Sequence, residues 1–210
     1  MKAILCFSVL LSLFTSCTIT QGYEFNEDFS GVSYIEIDAS AMMSLMGDGD
    51  EVSDPFSEAM DSINIDSLIE ATNAKPGIQN ASMQNENGVF RFSYDFDNLE
   101  SLNIMTESED VTEYFGGSGK RKTSTTRFSQ KSNKFRYAVP EVEAIEDTLM
   151  AGMEGMGDMM KYQLKMTFAK PVKKLSNEEY IVSSDQKSLT FSTSIPEFLD
   201  GNTGAVDIKF

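Results

Sequence analysis

Residues 78–96, IQNASMQNENGVFRFSYDF, constrain the fold more than any other stretch. Side chains alternate across an extended chain, so Phe90, Phe92, Tyr94 and Phe96 share one face and Arg91, Ser93 and Asp95 the other. Asn87-Gly88 supplies the two residues that most readily take the positive φ angles of a tight hairpin turn. A strand with one greasy and one wet side belongs to a sheet that packs on a core with one face only. The same pattern recurs along the chain. YEFNEDFSGVSYIEIDAS reads as a hairpin: Tyr23 and Phe25 alternate, Asp28-Phe29-Ser30-Gly31 turns, and Ser33, Ile35, Ile37 and Ala39 share a face. TTRFSQKSNKFRYAV reads as a third hairpin. Tyr162, Leu164, Met166 and Phe168 alternate, YIVSSDQKSLTFSTSI places two strands around a Ser-Asp-Gln-Lys turn, and a short turn at PEFLDGNTG precedes a last strand over 205–210.

Helical periodicity appears in between. Residues 53–74 are predicted helical, with Ser53 as N-cap, Pro55 in the first turn, Phe56, Met60 and Ile63 at helical spacing, and Lys75-Pro76-Gly77 as the stop. Asp97-x-x-Glu100 resembles a capping box opening a short helix that carries Leu99 and Leu102. Pro140 opens a helix to about Tyr162, in which Val142, Ile145, Leu149, Met153, Met156 and Met160 form one narrow apolar stripe. Residues 106–123 are polar, glycine-bearing loop. The expected architecture is a single α+β domain of roughly nine strands, an antiparallel, hairpin-built sheet packed on one face by helices.

The amino-terminal segment carries a different message. Lys2 gives a positive start, Ala3 to Leu13 is apolar, and Thr15-Ser16 are small. An apolar run of about 11 residues is too short for a bilayer, which needs roughly 20, so residues 1–16 read as a signal peptide. Cys17 follows directly. Phe14-Thr15-Ser16-Cys17 resembles the lipobox of bacterial lipoprotein precursors, with Phe14 where leucine is usual. The resemblance implies cleavage before Cys17 and lipidation of its sulfur, since a thiolate is nucleophilic enough to take a diacylglycerol as a stable thioether. A further acyl chain, such as palmitate, on the new amino terminus would make the anchor effectively permanent. The alternative is conventional cleavage nearby, leaving Cys17 as a free thiol. A Cys6–Cys17 disulfide is disfavoured because Cys6 lies in the segment to be removed. The expected organisation is signal peptide 1–16, lipidated tether 17–22 and extracytoplasmic domain 23–210. The protein is expected to be exported and held in the cell envelope, at the outer membrane or a periplasmic face.

Charge and composition exclude several function classes. The chain has 17 lysines and arginines against 33 acids, a net charge of −16, and losing the leader with its lysine makes it more negative. Such a chain repels nucleic acid. The charge is uneven: Lys120, Arg121, Lys122, Arg127, Lys131, Lys134 and Arg136 fall in a stretch without an acid. This stretch reads as a solvated basic hairpin, or as a contact for lipid headgroup phosphates beside the anchor. There is no histidine, which removes the commonest general base and metal ligand together. No carboxylate pair stands out for glycosidase chemistry. We therefore expect no catalytic residues, cofactor or metal, and a protein that is not an enzyme.

Two weaker patterns occur along the chain. Asp48-x-Asp50 hints at a calcium loop, but Val52 and Ala59 occupy positions that need oxygen ligands. Met150, Met153, Met156 and Met159 have the M-x-x-M spacing that suits Cu(I). They do not converge on one patch of the helix and read first as core packing. A flexible methionine-rich helix over an aromatic sheet could also close on an apolar ligand.

Three stretches together look like a group of uncharacterised lipoproteins of the Bacteroidetes. They are the lipobox followed by YEFNEDFSGVSYIEIDASAMM, the middle GIQNASMQNENGVFRFSYDFDNLESLN, and MMKYQLKMTFAKPVKKLSN through SLTFSTSIPEFL. More distantly the carboxy-terminal stretch is similar to the LppM-type lipoprotein domain, although Lys170-Pro171-Val172 lacks the usual glycine after the proline. The resemblance implies placement in the envelope, a curved sheet with helices and a link to lipid binding. It brings no active site. The function expected is a non-catalytic binding or envelope-interaction domain, with the membrane as partner through Cys17 and a lipid or protein as a second. The alternative is a carrier holding a lipid or other apolar molecule between sheet and methionine-rich helix.

Overall fold

The Asn87-Gly88 turn forms as its residues demand, with φ of +53° and +80°, the left-handed pair that matches the twist of the strands it joins. The computed structural model describes residues 17–41, 64–107, 126–138, 160–199 and 205–210. In chain order these form β1 (Cys17–Phe25), β2 (Gly31–Asp38), α1 (Ile65–Asn73), β3 (Ile78–Glu86), β4 (Val89–Phe96) and α2 (Leu99–Glu107). Then follow β5 (Phe128–Lys131), β6 (Lys134–Tyr137), β7 (Met160–Phe168), β8 (Lys174–Leu175), β9 (Ile181–Val182), β10 (Ser188–Ser194), α3 (Ile195–Leu199) and β11 (Val206–Lys209).

The α+β class holds, with one correction to the sheet. Seven strands lie in the order β3-β4-β2-β1-β7-β10-β9, and β1 runs parallel to β7, from Cys17 beside Met160 to Phe25 beside Phe168. The sheet is therefore mixed. Hairpin signals see only antiparallel neighbours, whereas a parallel pair joins segments far apart in the chain.

The register puts the expected aromatic face together. Phe96, Gly31, Phe25 and Phe168 form one row across four strands, and Tyr94, Ser33, Tyr23, Met166 and Leu189 form the next. Gly31 is required in its row: a Cβ there would stand 1.8 Å from the Glu24 carbonyl oxygen, so only glycine lets β1 and β2 close. On the opposite face the Tyr34 ring lies across Gly22, where a Cβ would come within 2.0 Å of Tyr34 Cζ. The Arg91 guanidinium stacks 3.8 Å above that ring and pairs with Glu36 at 3.3 Å. The rest of this outer face is mostly polar, with Val32, Val89 and the exposed Ile181 as apolar exceptions.

A second sheet, not helices alone, covers the aromatic face. It has the order β5-β6-β11-β8. Phe128, Phe135, Tyr137, Val206 and Ile208 point inward and are buried with Tyr23, Phe25 and Phe168 in one cluster. Phe135 meets Phe25 at 5.1 Å and Phe168 at 5.3 Å between ring centroids, and Tyr23 meets Phe128 at 4.8 Å. The basic hairpin is amphipathic in its own right, so its greasy side needed a partner, and the large sheet provides it.

The described helices sit at the margins. α1 is capped by Asn64, whose Oδ1 accepts from the Ser67 amide at 3.1 Å, and it buries Leu68 and Thr72. It matches the end of the helix expected over 53–74; residues 42–63 lie outside the described residues. α2 is capped by Asn98, not by Asp97 as the capping-box pattern suggested. Asn98 Oδ1 accepts from the amides of Glu100 and Ser101 at 2.9 and 3.0 Å, while the Asp97 amide bonds to the Gly77 carbonyl at 2.9 Å. Asn103 of α2 clamps the edge strand β5, donating to the Phe128 carbonyl at 2.8 Å and accepting from its amide at 2.9 Å. The helix expected from Pro140 to Tyr162 falls mostly outside the described residues. Its last part, Met160 to Tyr162, is strand, the start of β7.

Candidate functional site

Cys17 is the first residue of β1, a strand with neighbours on both sides. The tether expected over 17–22 is thus strand. Thr18, Ile19 and Thr20 are β-branched and favour extended backbone, and Gly22 makes room for Tyr34. Nothing local distinguishes a polar strand from a polar tether here; the decisive partner, β7, lies far along the chain. Cys17 is half-buried and in no disulfide. Burial, then the Asp38 carboxylate, push its thiol up, so the folded thiol is a poor nucleophile.

Between the sheets lies a polar cluster that the sequence did not disclose. Arg127, counted above with the basic run, immediately precedes β5 and is only 8% exposed. Its charge acts on the phenols of Tyr23, Tyr94 and Tyr162, opposing the burial that pushes all three up. Burial also raises Tyr180. Tyr162 donates to Gln21 Oε1 at 2.7 Å, and the Ser33 side chain, directly opposite Tyr94 across the ladder, opposes the rise of its phenol. The Tyr23 hydroxyl is buried without a hydrogen-bond partner of good geometry, and the Arg127 guanidinium acts on it from nearby. Among the described residues no carboxylate pairs with Arg127. A buried hydroxyl left unpaired carries a real free-energy cost.

The basic run divides on folding. Arg127 turns inward, whereas Lys131, Lys134 and Arg136 are exposed on the outer face of the small sheet. Lys120, Arg121 and Lys122 lie outside the described residues, as do Asp48, Asp50, Met150, Met153, Met156 and Met159. The outward lysines do not sit beside Cys17. Phe135, next to Lys134, packs on Phe25 and Phe29, at the other end of β1. Eight residues at about 3.3 Å each put the two ends of that strand roughly 26 Å apart, which does not fit a headgroup contact in the anchoring membrane.

Among the described residues no group of three or more acids, cysteines or histidines could hold a metal ion, and no helix is long and apolar enough to cross a membrane. A shallow apolar dent between Phe29, Phe168 and Phe210 lies by the Asn26–Phe29 turn, beside the Lys170–Glu27 pair at 4.0 Å.

No protein-family model matches the chain, and no curated protein matches it. Among solved structures it is similar to the folded domain of the LppM protein of Mycobacterium tuberculosis, determined by NMR. That likeness has 8% identity and a TM-score of 0.41, over 93% of this chain and 89% of the other. The neighbour is of the type that the carboxy-terminal stretch resembles, while the Bacteroidetes resemblance has no family model behind it. A likeness this loose carries no argument about function.

Proposed function

We propose that the chain is a lipid-anchored, extracytoplasmic lipoprotein whose folded part is a non-catalytic binding domain, held at an envelope membrane through Cys17. One observation carries the reading. The cysteine behind an apolar leader and two small residues is also the first residue of the central region of the sheet. Cleavage before it would leave every described strand whole and place the acyl chains at one end of β1. Intact-mass measurement of the membrane-extracted protein tests this. The wild type is expected to exceed its mature polypeptide mass by a diacylglycerol and an acyl chain, and to stay with the membrane. Cys17→Ala is expected to lose both the added mass and the membrane. An unmodified wild-type mass overturns the reading.

A second reading, the carrier of a lipid or another apolar molecule, is favoured by the Tyr23 hydroxyl and Arg127. An orphan donor beside a buried guanidinium is what the acidic head of an amphiphile needs. Native mass spectrometry after mild extraction is expected to show such a molecule bound to the wild type and lost from Arg127→Leu. A ligand-free wild-type mass refutes it. The methionine-rich segment first assigned to this role lies outside the described residues.

A further inference from the structure

The register of the small sheet assembles a feature that is scattered in the chain. Lys131 pairs with Lys134 across β5 and β6, Lys134 with Lys209 across β6 and β11, and Lys209 with Lys174 across β11 and β8. Phe135 and Ile208, the next residues inward, are buried, so these four lysines point outward, and all are exposed. Neighbouring strands lie about 4.8 Å apart, so the row is a line of four positive charges roughly 14 Å long.

Nothing in the fold explains this line. Like charges directly opposite one another in a sheet are destabilising, and here three such pairs follow in succession. None of the four has a carboxylate within ion-pair distance among the described residues. The parallel row beside it is neutral, because Arg136 pairs with Asp207 at 3.8 Å. In a chain of net charge −16, four unneutralised lysines held in register are a strong local exception.

We propose that this row is a docking surface for a linear anionic polysaccharide. The shape is a line and not a broad patch, which fits a charged polymer better than a charged plane. Among the described residues the exposed large apolar side chains are Ile104, Ile181 and Val182, none of them on the small sheet, so the sheet itself lacks the apolar contact that adds to electrostatic binding at a bilayer. The row also lies at the end of β1 away from Cys17. The other abundant linear polyanion, nucleic acid, is disfavoured because the described residues offer no exposed aromatic ring on which bases could stack. Lysine, a hydrated point charge without arginine's bidentate fork, suits successive carboxylates met by charge and spacing. The choice of a glycan rests on the exported reading above. The intact mass decides that reading and a binding assay decides this one, so each can fail alone.

The test is binding of the full mature chain to polygalacturonate as a function of salt. The wild type is expected to bind, with affinity falling steeply as salt rises. Lys134→Gln/Lys209→Gln is expected to weaken binding by about tenfold or more and to lower the log–log salt slope by roughly two. Its thermal midpoint should equal or exceed that of the wild type, because all three repulsive pairs are relieved. Lys161→Gln/Lys165→Gln, on the outer face of the large sheet, should bind as the wild type does. The proposal is overturned if the wild type does not bind, if the first double variant binds unchanged, or if the second loses as much. It is equally overturned if phosphatidylglycerol vesicles, oligo-dT or poly-glutamate bind more tightly than polygalacturonate.

Discussion

Phe135→Ala is expected to cost about 3–5 kcal/mol, the range for truncating a fully buried phenylalanine. The ring is 0% exposed and stands against four others, with centroid distances of 5.1 Å to Phe25, 5.3 Å to Phe168, 5.6 Å to Phe29 and 6.1 Å to Phe128. Three of these belong to the large sheet or its turn, so the ring fastens one sheet to the other. Three of the four neighbours, Phe25, Phe128 and Phe168, are backbone-fixed strand residues that relax little into the cavity, which places the loss in the upper part of the range. For a chain of this size a change of that order lowers the thermal midpoint by about 10 °C. Urea unfolding is the direct measurement, and Phe29→Ala, at a half-buried turn position, should cost less. A loss below about 1 kcal/mol would mean that the sheets do not depend on this contact.

A second large effect is expected in alkali. Burial pushes the phenols of Tyr23, Tyr94 and Tyr162 above their ordinary range near 10. In the unfolded chain the same groups titrate normally, so above pH about 10 the unfolded state binds fewer protons than the folded one. Stability is then full below that pH and falls as pH rises toward the folded values. The limiting slope is about 1.4 kcal/mol per pH unit for each group, about 4 kcal/mol per unit for three. The expected result is a cooperative unfolding in which tyrosinate absorbance and loss of circular dichroism rise together. Tyr23→Phe removes a hydroxyl that has no hydrogen-bond partner, so at neutral pH it should be neutral or stabilising, and in alkali it should flatten the decline. Smooth titration of these phenols near pH 10 with the fold intact would contradict the account.

What was legible in the chain follows distance along it. Phe90, Phe92, Tyr94 and Phe96 and their Asn-Gly turn were readable because pattern and turn chemistry lie within a few residues. The basic hairpin was readable as a hairpin, but the aromatic half that docks it was overlooked beside its charge. Residues 17–22 were misread because a Thr-rich segment declares itself a strand only when both neighbours are known. The parallel β1–β7 pair and the four-lysine row depend on register between segments far apart, which no local pattern encodes. Arg127 looked like one more surface base, and only the packing of the small sheet turned it inward. Cys17, by contrast, was singled out by short-range context alone, and the fold adds where it sits.

That position has a mechanical consequence. β1 is laddered on both sides, to β2 along one edge and to β7 along the other. A pull applied at Cys17 along the strand axis therefore loads both ladders in shear, with their hydrogen bonds lying across the direction of force. The bonds must yield together and not one after another, as they do when an edge strand is peeled. A domain attached at this residue is held by the part of its sheet best able to resist extraction.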